Sequence, residues 1–154
     1  MNYYRSAIRK IHTALSLSRA DWGIFIKAWF WLVYIDFLLH SRPYLRVQQL
    51  VENLHPQKQA TSSAQAWEII RHDKRFVRLA AQYHFHRMGC LRQALTLKRL
   101  LVAQGIPTEL RFGVRKEADQ LLAHAWLEFE GQSIELLYNG KEHFVPLISL
   151  QDRQ

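Results

Sequence analysis

One cysteine, six glycines and four prolines are all that 154 residues contain of the types that staple, bend or break a chain. A single cysteine excludes an internal disulfide, so the fold does not rest on oxidation, and a reducing cytoplasmic setting is expected. No glycine-rich stretch leads into a helix, so a phosphate cradle is excluded, and Gly105 and Gly113 read as backbone punctuation. A second cysteine or a spaced histidine–acid pair, either of which could complete a metal site, is also missing. His84 and His86 sit two residues apart, about 200° around a helix, which argues against joint ligation. Neither a metal nor a cofactor is expected.

Acidic residues are scarce as well: 13 against 21 Lys and Arg, a formal net charge of +8. The excess is uneven, with sixteen cations against five acids over 1–104 and five against eight over 105–154. The basic, first part suggests an acidic partner or a membrane surface. With no recognisable binding motif beside the charge, nucleic acid is not an expected partner. Arg71, Lys74, Arg75 and Arg78 fall at i, i+3, i+4 and i+7, a spacing that suits either a solvated face or contact with an acidic partner or substrate segment.

No apolar run is long and clean enough for an unambiguous membrane span. The stretch 24–39 is apolar and aromatic (Phe25, Trp29, Phe30, Trp31, Tyr34, Phe37) but carries Lys27 and Asp36, and it falls short of the roughly 20 residues a span needs. A buried or partner-covered helix is the expectation, with membrane-surface contact left open. The first residues mix Arg5, Arg9, Lys10 and His12 among apolar positions without a cleavage site, unlike a signal peptide.

What is present reads as helices first and strands later, an α+β order. An amphipathic helix is expected over 3–17, and Ser18 with Asp21 forms a capping box that starts the aromatic helix. Pro43 suits the first turn of a helix running to about Leu54. The polar stretch 55–63, with Pro56, is linker-like, giving an N-terminal helical part over 1–55 and a second part over 64–150. Helices are expected over 64–87 and 90–104, the second closed by Gly105 with Pro107 beyond. From Thr108 the pattern alternates: strands around Leu110 to Val114, 123–129 and 134–138, a tight turn at Glu130-Gly131-Gln132, and an edge strand over 143–147.

Gly89 opens directly onto the helix that begins with Cys90, and a thiol at a helix N-terminus has its thiolate stabilised by the macrodipole and by unpaired N–H groups. His124, on the second strand, supplies the imidazole a thiol nucleophile needs as its base. Between His124 and Asp152 there is no aspartate. Glu135 shares the sheet face of His124 and Trp126 if the hairpin turn has two residues, while Leu136 points the other way. Glu128 shares that face too and competes for the role of orienting His124. Beside the Cys90 N–H, Gln82 is a weak candidate for a second oxyanion donor.

The ordered set Cys90-Leu91-Arg92-Gln93-Ala94-Leu95, Leu100-Leu101-Val102-Ala103-Gln104-Gly105-Ile106-Pro107, Arg111-Phe112-Gly113-Val114 and His124-Ala125-Trp126-Leu127-Glu128 with Gly131 resembles the transglutaminase-like cysteine protease of lasso-peptide biosynthesis. The resemblance implies a papain/transglutaminase-like core, Cys90 as nucleophile and His124 as base, with removal of the leader from a ribosomally made precursor peptide. It departs at the third catalytic position, an aspartate in the family, where Glu135 is the nearest acid. It also implies partners: an asparagine-synthetase-like cyclase and, because no strand-rich module fits before Ala64, a separate leader-binding protein. Another thiol acyl-transfer enzyme, an amidase or transpeptidase, and a non-catalytic docking subunit stay open as alternatives.

Overall fold

The computed structural model describes residues 18–52, 62–117, 120–136 and 144–146. The expected helix over 3–17 and the linker before Ser62 lie outside them. Four helices come first, α1 Arg19–Ser41, α2 Tyr44–Glu52, α3 Ser63–Gln82 and α4 Cys90–Ala103. The strands β1 Glu109–Glu117, β2 Gln120–Phe129, β3 Gln132–Ile134 and β4 Val145–Pro146 follow and form one antiparallel sheet in the order β3-β2-β1-β4. This is the expected α+β fold.

Local chemistry sets the helix ends. The Ser18 hydroxyl accepts from the Asp21 N–H at 3.2 Å and the Asp21 carboxylate accepts from the Ser18 N–H at 3.0 Å, closing the capping box. Arg42 is already extended, as a residue before proline prefers to be. Between these ends α1 runs for 23 residues, and by length and composition it could cross a membrane. One stripe, Ala28, Leu32, Ile35 and Leu38, is buried. Trp22, Ile26, Phe30, Val33 and Phe37 are exposed on the other side.

Helix α4 is the centre of the molecule. It packs on each of the other helices and on β1 and β2. Leu97 and Leu101 share a cluster with Ala28 and Leu32 of α1, Ile70 and Val77 of α3, and Leu127 and Ile134 of the sheet. Each such fully buried aliphatic side chain contributes about 1.5–3 kcal/mol of transfer free energy. At the far end Gly105, with φ 75°, takes the left-handed position. The Ile106 N–H reaches Leu101 O and the Gly105 N–H reaches Val102 O, the paired bonds of a Schellman stop.

Two expectations are corrected. Helix α3 ends at Gln82 and not near Arg87, so residues 83–89 form a loop leading to Cys90. His84 and His86 are therefore not on a helix, and Phe85 between them is exposed. Strand β3 starts at Gln132 and ends at Ile134, earlier than the alternation suggested. The cause is the turn: Glu130 (φ 51°) and Gly131 (φ 73°) both take positive φ, so a two-residue turn of the I′ kind pairs Phe129 with Gln132 at once.

Candidate active site

Strand alternation divides β2 between two environments. Leu127 and Phe129 point into the helical core, while His124, Trp126 and Glu128 project from the opposite face. His124 is buried there all the same, because Trp126 stacks on it (centroids 5.8 Å apart, planes at 20°) and Phe144 lies 4.7 Å away. Gly113 makes this arrangement fit. It pairs with His124 across the β1–β2 ladder, and a Cβ at this position would come within 2.8 Å of the Trp126 ring and 3.0 Å of Phe144 Cβ. The glycine is thus space for an indole, and not the backbone punctuation expected from the sequence.

Cys90 is the first residue of α4, after Gly89 with φ −69° and no side-chain cap on the helix. Neither backbone strain nor crowding demands glycine there, since an added Cβ would meet only Arg92 Nη1 at 3.9 Å. Its effect is to leave the first-turn N–H groups without a competing side-chain acceptor. The His124 imidazole and the N–H groups of Ala125 and Leu91 all act on the sulfur to favour its thiolate. Among the described residues β3 pairs with Leu127 to Phe129, and Ala125 lies beyond that ladder on β2.

Glu135 follows the last β3 residue, and its Oε2 lies 2.7 Å from His124 Nε2. Its other oxygen accepts from Ser133 Oγ at 3.0 Å. Nε2 is therefore the imidazole nitrogen that Glu135 engages. Glu128 has different partners: Arg111 Nε donates to its Oε2 at 3.0 Å and Trp126 Nε1 to its Oε1 at 3.1 Å. The structure therefore brings Cys90, His124 and Glu135 together, and connects Glu128 to the imidazole only through the indole.

The electrostatics follow from these contacts. Desolvation pushes the Cys90 thiol up, but the His124 bond, the Ala125 N–H, the His124 charge and the Leu91 N–H outweigh it and hold the thiol below its ordinary value. Desolvation pushes His124 down, and the bonds to Cys90 and Glu135 with their charges outweigh it, lifting the imidazole to about 9. The two shifts together favour a thiolate beside an imidazolium.

Cys90 opens into a cleft of about 640 Å³ whose lining includes Arg78, Gln82, His84, Phe85 and Gln93. Gln82, the last residue of α3, reaches this cleft. Gln93 Nε2 donates to Met88 O at 2.7 Å and so fastens the loop in front of the thiol. No group of three or more His, Cys, Asp or Glu suited to a metal is present among the described residues. Sequence reasoning missed Ser133 and the Ala125 N–H. Parity could have found Ser133, two residues before Glu135; the Ala125 amide is visible only once the thiol is placed against the strand edge.

A cysteine at a helix start, a histidine on an adjoining strand and a carboxylate behind it define a papain/transglutaminase-like thiol centre. The sequence model of the Transglutaminase-like superfamily matches residues 29–149, and the chain belongs to that superfamily. Membership supports a thiol acyl-transfer or protease-type function. No curated protein and no solved structure matches the chain.

Proposed function

We propose that the protein is a cysteine peptidase that removes the leader from a ribosomally made lasso-peptide precursor. The observation that carries the peptidase reading is the His124–Glu135 hydrogen bond beside a Cys90 thiol that the imidazole holds below its ordinary value, at the mouth of the cleft. The precursor class rests on the resemblance of the ordered motifs from Cys90 to Gly131. The Cys90 thiolate attacks the scissile carbonyl, and the Cys90 N–H with the Gln82 amide binds the oxyanion. His124 gives its proton to the leaving amine, then takes one from the water that hydrolyses the thioester. Glu135, held by Ser133, keeps the imidazole in the orientation that the proton transfers need.

Leader recognition is assigned to a separate binding protein, and the released core passes to an asparagine-synthetase-like cyclase. The exposed stripe Trp22, Ile26, Phe30, Val33 and Phe37 offers such a partner an apolar surface. The test is cleavage of precursor by purified protein, followed by mass spectrometry, with and without the leader-binding protein. Cys90→Ala and His124→Ala should each abolish cleavage while the chain stays folded, and the double variant should be no worse than either, because the two act as a unit. The partner should raise the rate by tethering the scissile bond near the thiol. Retained cleavage by Cys90→Ala rejects the thiol mechanism, and equal rates with and without a bound partner reject the split arrangement.

A further inference from the structure

The four cations of α3 lie together along one exposed groove. Arg71, Lys74, Arg75 and Arg78, with Leu79 and Gln82, line a groove of about 390 Å³. Arg78 and Gln82 also line the cleft that holds Cys90, so groove and cleft adjoin. The seven steps from Arg71 to Arg78 cover about 10.5 Å of helix axis, close to the length of three residues of extended peptide at about 3.3 Å each. Among the described residues, none of the four has a carboxylate within ion-pair distance. Like charges at i, i+3 and i+4 oppose one another on a helix, and Lys74 shows it: desolvation and then the Arg78 charge hold its ammonium below the ordinary value, against the pull of Glu135. Such crowding is relieved by an incoming anion, and guanidinium groups suit carboxylates through paired N–H···O bonds.

We propose that this groove binds an acidic segment of the substrate peptide, with carboxylates held by Arg71, Arg75 and Arg78 while the scissile bond lies at Cys90. The inference rests on the peptidase reading for what occupies the cleft, and names the side chains that the substrate carries beyond it. The groove then selects peptides that place acidic residues a few positions from the cleaved bond. Because the rail is exposed along Arg71 and Arg75, its attraction is screened by salt.

The test uses two fluorescein-labelled decapeptides, one alternating Glu and Gly and one alternating Gln and Gly, with the full chain. Binding is read by anisotropy and occupancy of the cleft by the rate of Cys90 alkylation. The Glu peptide is expected to bind at least 10-fold more tightly than the Gln peptide, to lose that margin in high salt, and to slow alkylation severalfold. The double variant Arg71→Glu/Arg75→Glu should lose the margin while its alkylation rate without peptide is unchanged. Arg71→Gln/Arg75→Gln should weaken the preference in the same direction should the reversal disturb the helix. Equal affinity for the two peptides, a preference that survives in both variants, or alkylation that ignores the bound Glu peptide overturns the proposal, as does equally tight, equally variant-sensitive binding of a single-stranded oligonucleotide of the same charge. An inert Cys90 with the Glu preference intact rejects the peptidase reading and leaves the acidic site standing, so the two failures are distinguishable.

Discussion

The indole N–H of Trp126 donates to Glu128 at 3.1 Å, so this carboxylate braces the ring that covers His124, while Glu135 takes the imidazole itself at 2.7 Å. Two acids on one sheet face thus have separate work. Glu135→Gln should keep the fold and lower the cleavage rate by about 10-fold to 10⁴-fold, as loss of a triad orienter does. Glu128→Gln retains an oxygen for the indole and should do much less. Glu135→Asp shortens the reach by about 1.5 Å and should retain partial activity. Steady-state rates for the three variants, with circular dichroism as the folding control, check this ordering.

Gly113→Ala should disturb the site from the opposite strand. Its methyl group would come within 2.8 Å of Trp126, and the ring must move off His124 to make room. Overpacking of this kind costs about 1–3 kcal/mol. Denaturant unfolding should show that loss together with a fall in activity. Unchanged stability and rate would mean that the ring moves aside freely and plays no part in holding the imidazole.

The pH dependence has a sign that can be worked out from the two shifts. Cys90 is lowered, so thiolate appears as pH rises through a value below the ordinary 9.0, and His124 is raised, so imidazolium persists until pH rises through about 9. Activity should therefore be bell-shaped with its alkaline limb near 9, and the two limbs belong to the pair and not to either residue alone. The same linkage acts on folding: the His124 contribution is full below its unfolded value of 6.5 and is lost as pH rises through about 9. A kcat/KM profile measured alongside thermal unfolding across this range checks both.

Gln82→Ala tests the second oxyanion donor. Removing such a donor costs about 10²-fold to 10³-fold in kcat. The thiol chemistry should be untouched, so the variant should alkylate at the parent rate. A fall in kcat with unchanged alkylation places Gln82 on the oxyanion, whereas a parent kcat removes it from the mechanism.

Much of this was legible in the residues themselves. The Ser18–Asp21 box, the Gly105 stop and the two-residue turn at Glu130-Gly131 are local signals, and each governs its own few bonds. Because that turn fixes parity, counting placed Glu135 on the face of His124 together with Glu128, and only the structure shows which acid takes the imidazole, even though β3 ends one residue before Glu135. The early end of α3 was not legible: residues 83–88 contain neither glycine nor proline, and the contacts that His84 and Phe85 make there are with Trp29, on another helix. Gly113 was misread for a related reason. Its need for space comes from an indole on another strand, thirteen residues later, and single-strand patterns carry no record of it.

The central claim is that His124 activates the Cys90 thiol, and alkylation of the single cysteine against pH reads it without any knowledge of substrate. The parent should react with a midpoint below the ordinary thiol value of 9.0, and His124→Ala should move that midpoint upward, toward or beyond it, because the imidazole's influence is lost while desolvation remains. A parent thiol that titrates at its ordinary value, or a midpoint that His124→Ala leaves where it was, would contradict the account.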